Sequence, residues 1–235
     1  MTTPMRARSA ATGVSPALVA GGIVVFIAMS LVVAAISVRV VNRAPLTVTD
    51  VELSSWLHLH RSPVVTGAMR VATSFGAPAT ATCIAAAMAF YLLWRERRPY
   101  WLAALVLAVP GGALLNRLLK LAFHRARPHF DDPILTLTDY GFPSGHTMIA
   151  SVLYGVVAAY LCAQTADWRR RVLVVAAASV LIALVGFSRI YLGAHYLSDV
   201  LAGMAEGLAW LSLCVTVVYA IWLRGDRTGG ACQRL

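Results

Sequence analysis

The sequence carries very little charge. Only 13% of its 235 residues are Asp, Glu, Lys or Arg, whereas a soluble domain carries about 25%. Acidic residues are the scarcer kind, ten against twenty basic ones. With so little charge and 59% hydrophobic residues, most of the surface cannot face water, which excludes an ordinary soluble enzyme. A mean hydropathy of +0.73 indicates one membrane-embedded domain over residues 1–235, too small to include a second globular one.

Cysteine is also scarce and has no metal-ligand spacing. Three of the four cysteines lie within apolar runs and the fourth is near the C-terminus: Cys83, Cys162, Cys214 and Cys232. This pattern excludes a disulfide framework and a cysteine-based metal centre. Carboxylates form no obvious ligand cluster either. We therefore predict that the protein uses no metal and no other cofactor.

Long apolar runs are what the sequence does have. About 20 helical residues at 1.5 Å each cross a hydrocarbon core about 30 Å thick, and lipid offers no partners for a non-helical backbone. The first run follows Arg6 and Arg8 but is longer than the apolar part of a signal peptide, so it is interpreted as a retained helix. The predicted spans are Ala17–Val38, Ala79–Trp94, Trp101–Leu119, Thr147–Ala163, Val172–Phe187 and Val200–Leu223. The predicted fold class is an all-α polytopic membrane protein with six transmembrane helices, the third kinked at Pro110, Gly111 and Gly112.

A shorter amphipathic stretch lies between the first two spans, from Pro45 to Pro63. Leu53, Trp56 and Leu57 share a face of a helix there, which predicts a short helix lying in the membrane interface. His58 and His60 fall in the same stretch. We interpret them as interfacial polar residues rather than metal ligands, because nothing nearby completes a site.

Arginine is distributed unevenly between the two sides of the predicted bundle. One side has Arg6, Arg8, Arg95, Arg97, Arg98, Arg169, Arg170, Arg171, Arg224, Arg227 and Arg234; the other has Arg39, Arg43, Arg61 and Arg70, besides the bases of two loops. The positive-inside rule makes the first side cytoplasmic. Both termini are then inside, and the loops after the third and fifth spans face outward. A basic cytoplasmic rim explains most of the net charge of +10, so nucleic acid is not a predicted partner.

The outer loops contain three basic side chains that can converge: Lys120, Arg127 and Arg189. Such a set suits a tetrahedral oxyanion such as phosphate, since the arginine fork binds two oxygens at once. Lys120 is the only lysine in a chain with nineteen arginines. A compact ammonium group is therefore favoured at that position.

The same loops supply groups for a reaction. Ser144 and Gly145 open the fourth span, where unpaired N–H groups and the positive end of the helix dipole favour an anion. His195 and Asp199 are four residues apart, so on a helical turn the carboxylate reaches one imidazole nitrogen and leaves the other free to attack. His146 comes from a different loop and is free to donate a proton. Together these groups predict phosphoryl transfer through a covalent intermediate.

The three segments resemble the signature of the type 2 phosphatidic acid phosphatase superfamily, also called the haloperoxidase-like acid phosphatases. The pattern K-x6-R-P, P-S-G-H and S-R-x5-H-x3-D is matched at every fixed position between Lys120 and Asp199. The resemblance implies that His195 is the nucleophile, that Asp199 orients it and that His146 protonates the leaving oxygen. It further implies metal-free catalysis and a phosphoryl group held by Lys120, Arg127, Ser144, Gly145 and Arg189.

Other polar residues near these motifs have less definite predictions. His124, Arg125 and His129 either line the entrance of the site or are solvated, and Asp131, Asp132 and Asp139 are interpreted as ordinary loop acids. Glu206 and Arg117 fall inside predicted spans on the faces of Asp199 and Lys120. Charges inside a membrane need partners, so a supporting network beneath the site is predicted, with the pairing left open.

The predicted function is that of an integral membrane lipid phosphatase acting on the outer face of a bacterial plasma membrane. Its substrate would be a lipid (pyro)phosphate such as undecaprenyl diphosphate, phosphatidylglycerol phosphate or phosphatidate, with the bilayer as its other partner. A lipid phosphotransferase would show identical motifs. Six spans argue against a vanadate haloperoxidase, and a lipid transporter would leave His195, Asp199 and His146 without a purpose. The oligomeric state stays open.

Overall fold

The computed structural model describes residues 15–42, 45–96 and 99–232, and every regular element in these ranges is helical. The elements are α1 (Pro16–Val41), α2 (Pro45–Leu59), α3 (Pro63–Ser74), α4 (Pro78–Tyr91) with a π-helical turn (Leu92–Glu96), α5 (Pro99–Phe123), α6 (Gly145–Ala163), α7 (Trp168–Tyr191) and α8 (Leu197–Cys232). The longest irregular stretch, 124–144, connects α5 to α6. The all-α prediction is confirmed.

Five of these helices are long and apolar enough to cross a membrane: α1, α5, α6, α7 and the Leu197–Ile221 part of α8. A sixth span forms when α3 and α4 are taken together across a bend of 43°. Taken as one span, the pair is longer than the predicted Ala79–Trp94, because it begins in α3. Pro78 explains the bend, since proline fits the first position of a helix but cannot continue one that precedes it.

The third span is not broken at its proline. α5 continues as one helix from Pro99 to Phe123, with Pro110 inside it. The indole N–H of Trp210 on α8 donates to the carbonyl oxygens of Ala108 and Leu107, at 3.1 and 3.3 Å. A neighbouring helix thus supplies a donor beside the proline, which is how a membrane helix tolerates one.

α6 and α8 form the centre of the bundle, and α1 lies at its edge. In the most apolar 18-residue stretch of α6, half of the residues are buried, whereas none are buried in the corresponding stretch of α1. Two glycines let α8 approach α6: a Cβ on Gly207 would lie 2.8 Å from the carbonyl oxygen of Met148, and one on Gly203 would lie 2.5 Å from that of Ser144. Small residues four apart are the usual device for close helix packing in membranes.

The predicted short helix between the first two spans is α2. Leu57 is buried and Leu53 packs beside it. Trp56 was predicted on the same face but is 56% exposed and stacks on His60. The reason is geometric, because successive residues are rotated by about 100° and Trp56 points away from its neighbour Leu57. The position of α2 in the membrane interface stays a prediction.

The segments predicted to share the outer side do converge at one end of the bundle. The N–H of Ser144, before α6, donates to the carbonyl oxygen of Asp199 in α8 at 2.9 Å. Arg189, near the end of α7, donates to the hydroxyl of Thr73 in α3 at 2.8 Å. Of the arginines that predict the orientation, these lie outside the described residues: Arg6, Arg8, Arg43, Arg97, Arg98 and Arg234. Which end faces the cytoplasm therefore stays a prediction.

Candidate active site

His195 lies in the short turn between α7 and α8 and is 1% exposed. Its Nδ1 is 2.7 Å from the carbonyl oxygen of Gly141, and its Nε2 is 2.9 Å from Nη1 of Arg127. A carbonyl oxygen only accepts hydrogen bonds and a guanidinium only donates them. The proton is therefore on Nδ1, and the lone pair of Nε2 points at the arginine.

The surroundings of His195 keep the imidazole neutral. Burial lowers the pKa of His195 well below its usual value of 6.5. The positive charges of Arg127, Arg189 and Lys120 lower this pKa further, against the opposing effect of the hydrogen bond to Gly141. A neutral imidazole with a free lone pair is the form that can attack an electrophile.

Lys120 and Arg127 are bound together by a carboxylate that was predicted to be an ordinary loop acid. The two oxygens of Asp139 lie 2.6 Å from Nζ of Lys120 and 2.7 Å from Nη2 of Arg127. Burial raises the pKa of Asp139, but the hydrogen bond from Lys120 and the charge of Arg127 outweigh it and lower the pKa to about 2. Asp139 is therefore ionised and belongs to the site.

Backbone carbonyls fix the same two cations independently of that carboxylate. Lys120 donates to the carbonyl oxygen of Tyr140 at 2.8 Å. Arg127 donates through Nε to the carbonyl oxygen of Asp139 at 2.8 Å and through Nη1 to that of Ala194 at 2.6 Å. Each cation thus keeps a position set by the main chain.

Arg189 is the third cation and the most deeply placed. It is 4% exposed, and its Nη1 donates to Thr73. Its Nε is buried and, within the part of the chain that the structure describes, has no hydrogen-bond partner. A buried donor left unpaired costs free energy, so this guanidinium retains unused capacity for an anion.

Asp199 is buried beside His195, but it is not the nearest acceptor for the ring. Its Oδ2 lies 3.5 Å from Nδ1 of His195 and accepts a shorter hydrogen bond, 2.9 Å, from the backbone N–H of Tyr196. The carbonyl oxygen of Gly141 is the closer acceptor for Nδ1, at 2.7 Å. In this structure Gly141 fixes the tautomer, while Asp199 stabilises the turn that carries the histidine.

A buried ion-pair network holds Asp199 in turn. Arg125 donates to Asp199 and, through its other terminal nitrogen, to Asp50 of α2 at 2.8 Å. Asp50 also accepts from the hydroxyl and, at 2.9 Å, the backbone N–H of Ser198. Only 13% of the Arg125 side chain and 1% of that of Asp50 are exposed. Arg125 was predicted either to line the site entrance or to be solvated. The structure shows neither, because its guanidinium is paired with two buried carboxylates.

The start of α6 contributes Gly145 and His146 to the cavity wall, but not Ser144. Ser144 is fully buried; its N–H is used by Asp199 and its hydroxyl accepts from Thr147 at 3.0 Å. The N–H groups of Gly145 and His146 belong to the first turn of the helix, where intrahelical acceptors are lacking. These two groups, rather than that of Ser144, are placed to meet an anion.

The predicted network beneath the site is an amide–carboxyl pair. Asn116 donates through Nδ2 to Glu206 at 2.8 Å, and the same nitrogen is 3.5 Å from the carbonyl oxygen of Pro143. Arg117 is exposed and lines the cavity. Asn116, which no sequence pattern singled out, is thus the partner of Glu206 and contacts the segment before α6.

Most of the other polar residues singled out in the outer segments do not line the cavity. The ring of His58 stacks on that of Phe130, with the ring centroids 3.9 Å apart. Nε2 of His58 lies 2.8 Å from Oδ1 of Asp132, which also pairs with Arg61. The exposed ones are His60, His124, His129, Asp131 and Asp132. No group of three or more His, Cys, Asp or Glu residues is positioned to hold a metal ion within 15–42, 45–96 and 99–232. Metal independence stays a prediction.

The site opens into a cavity of about 260 Å³ that has a polar wall and an apolar wall. The polar wall includes Lys120, Arg127, Asp139, His146, Arg189 and His195. Three residues of the apolar wall, Pro78, Ala113 and Ile149, also line a groove of about 480 Å³ between α4 and α5. Most of the groove is lined by small apolar side chains. A polar headgroup and an apolar tail can therefore be held side by side.

Comparison with known proteins identifies the family. The sequence model of the PAP2 superfamily matches residues 99–223, which contain all three motifs. The chain belongs to the PAP2 superfamily. It is 36% identical to phosphatidylglycerophosphatase B of Bacillus subtilis (strain 168), over 68% of this chain and 78% of that protein. It is 35% identical to the lipid A 1-phosphatase of Rhizobium etli, over 63% of this chain and 68% of that protein.

A solved PAP2 structure shares the fold. The crystal structure of the transmembrane PAP2 type phosphatidylglycerolphosphate phosphatase from Bacillus subtilis matches 82% of this chain and 93% of its own, with a TM-score of 0.64 and 30% identity. The resemblance predicted from the motifs is confirmed, and the chain is a membrane lipid phosphatase of the PAP2 superfamily.

Gly141 and Asp50 are two of the groups in this PAP2 site that sequence analysis missed, and the reasons differ. Gly141 acts through its carbonyl oxygen, and a backbone atom leaves no signature in the residue type. Asp50 could have been found, because it lies on the same face of α2 as Leu53 and Leu57, three and seven residues on. An acid on the apolar face of a short helix requires a buried partner.

Proposed function

We propose that this PAP2 phosphatase removes the terminal phosphate of a lipid phosphate through a phosphohistidine on Nε2 of His195. The observation that carries the proposal is the neutral imidazole, whose lone pair on Nε2 lies among three cations. Guanidinium and ammonium groups bind phosphoryl oxygens through strong charge-assisted hydrogen bonds. Among the described residues, His195 is the only histidine of the cavity whose two ring nitrogens both lie within hydrogen-bonding distance of a partner.

The reaction proceeds in two steps. Nε2 of His195 attacks phosphorus while the bond to the lipid oxygen breaks and His146 donates a proton to that oxygen. Nη1 of Arg127, which lies 2.9 Å from Nε2 of His195, redirects its hydrogen bond from Nε2 to a phosphoryl oxygen as the substrate enters, and the guanidinium keeps its protons. Water then attacks the phosphohistidine, His146 accepts the proton of the water, and inorganic phosphate leaves. Lys120, Arg189 and the N–H groups at the start of α6 stabilise the charge on the phosphoryl oxygens in both steps.

The groove between α4 and α5 supports a lipid substrate. Its apolar wall continues from the cavity through Pro78, Ala113 and Ile149, so a headgroup bound by the cations leaves its tail in the groove. The arginine asymmetry supports a site on the outer face of a bacterial plasma membrane, with both termini in the cytoplasm. Such a site would take its substrate from the outer leaflet.

The substrate class can be tested with a panel of lipids. The named relatives are a phosphatidylglycerophosphatase and a lipid A 1-phosphatase, so the panel contains phosphatidylglycerol phosphate, lipid A 1-phosphate, phosphatidate and undecaprenyl diphosphate. Release of inorganic phosphate is measured in detergent with excess EDTA. We expect activity on at least one lipid to survive the chelator. Transfer of phosphate to an added second lipid, without release, would instead identify a phosphotransferase.

Two variants test the covalent step. His195→Ala should abolish turnover and prevent trapping of an acid-labile phosphoenzyme. His129→Ala removes an exposed histidine of the loop between α5 and α6 and should leave turnover and phosphoenzyme intact. Near-normal activity of the His195 variant would contradict the proposed mechanism.

A further inference from the structure

The carboxylate of Asp139 lies where a phosphoryl group would have to bind. Its two oxygens bridge Lys120 and Arg127 at 2.6 and 2.7 Å, and it lines the same cavity as His195. Nη1 of Arg127 is 2.9 Å from Nε2 of His195. A phosphorus atom in position for attack lies about 3–3.5 Å from the nucleophile, so its oxygens compete for the same guanidinium.

Asp139 is not needed to hold these two cations in place. Lys120 is fixed by the carbonyl oxygen of Tyr140, and Arg127 by the carbonyl oxygens of Asp139 and Ala194. All three contacts are made by the main chain. They persist if the carboxylate turns away, so the cations remain directed at the cavity.

The Asp139 side chain also has room to leave. It is 49% exposed, whereas the side chains of Lys120 and Arg127 are 12% and 10% exposed. It belongs to the irregular stretch 124–144, where no helix restrains it. Rotation of one short side chain moves the carboxylate into water without moving its partners.

We infer that Asp139 is an internal competitor for phosphate: it neutralises the Lys120–Arg127 pair in the empty enzyme, is displaced by the substrate, and returns to expel the inorganic phosphate product. The inference rests on the proposed function, in which these cations bind the phosphoryl group. Asp139 would then be a specificity-determining residue that sets how tightly the site retains anions, and not a residue that positions the cations.

Inhibition by free anions tests this role in the full-length protein in detergent. The inhibition constants of inorganic phosphate and vanadate are measured on hydrolysis of whichever panel lipid the wild type accepts. If the carboxylate occupies the site about nine-tenths of the time, Asp139→Asn should lower both constants by about 10-fold, because apparent affinity scales with the competent fraction. KM should fall in parallel. Asp139→Ser is measured alongside and should lower both constants in the same way. The control is Asp131→Asn, which removes an equal charge from an exposed position of the same loop and should change neither constant.

The outcomes separate this inference from the proposed function. Unchanged or higher inhibition constants for both Asp139 variants, in an assay where the anions inhibit the wild type, would overturn the competitor role. Higher constants would show that the carboxylate positions the cations instead. A wild type that hydrolyses no panel lipid and ignores both anions would overturn the proposed function itself.

Discussion

Gly203→Ala tests whether the position of the first turn of α6 sets the catalytic rate. A Cβ on Gly203 would lie 2.5 Å from the carbonyl oxygen of Ser144, where ordinary contact requires 3.4 Å, so the two helices must separate by about 0.9 Å. The obstacle is backbone and cannot rotate away. The shift moves the turn that carries Gly145 and His146. Misplacing reacting groups by about 1 Å can cost about 10²-fold in rate, and this is the loss of kcat/KM that we expect.

The assay separates this effect from general destabilisation. Overpacking of this kind costs about 1–3 kcal/mol of stability, so thermal unfolding in detergent is measured together with phosphate release. Gly67→Ala, on α3, is the matched control, because a Cβ there meets nothing within 4 Å. It should retain both stability and kcat/KM. A folded Gly203→Ala protein with wild-type kcat/KM would refute the link between this helix contact and catalysis.

Three other expectations concern pH, the buried network and topology. Because the pKa of His195 is depressed, kcat/KM should persist below pH 6.5 and fall only when the ring is protonated at the lower pKa; an acid limb at or above pH 6.5 would contradict a neutral buried imidazole. Asp50→Ala should destabilise the protein by about 3 kcal/mol. This is the low end for a broken buried ion pair, because Arg125 keeps its second partner, Asp199. Glu52→Ala, an exposed acid of the same helix, should be neutral in the same thermal unfolding experiment. A cysteine replacing Asp132 should react with an impermeant thiol reagent outside intact cells while one replacing Asp167 does not, and the reverse pattern would place the site in the cytoplasm.

The features that could be predicted from the sequence are those set by residues close together in the chain. The five long spans are visible because each is one continuous apolar run, and His195 and Asp199 are related by a single helical turn. The bent span was predicted only in part, because α3 is short and Pro78 interrupts the pattern before the apolar run begins. Local spacing placed those elements without any knowledge of tertiary contacts.

What the sequence could not predict depended on distance in the chain. Asp50 and Ser198 are separated by 148 positions, and no spacing rule joins them. Asp139 has the same residue type and the same loop as Asp131 and Asp132, so only its contact with two cations distinguishes it. The carboxylate of Asp199 was predicted to reach one imidazole nitrogen of His195, but the nearer acceptor for Nδ1 is the main-chain oxygen of Gly141, which residue identity cannot reveal.

The buried contacts of Asp50 and Thr73 have a consequence for how this enzyme can be dissected. The family match begins at residue 99, yet these two residues precede it and restrain Arg125 and Arg189 inside the matched region. A fragment cut at the family boundary would carry every signature residue and still lose the anchors of two of its arginines. Chimeras of PAP2 phosphatases should therefore exchange the N-terminal hundred residues together with the motifs, because the functional unit is larger than the recognisable one. Sequence change in that preceding segment gives evolution a way to adjust the site without altering any signature position.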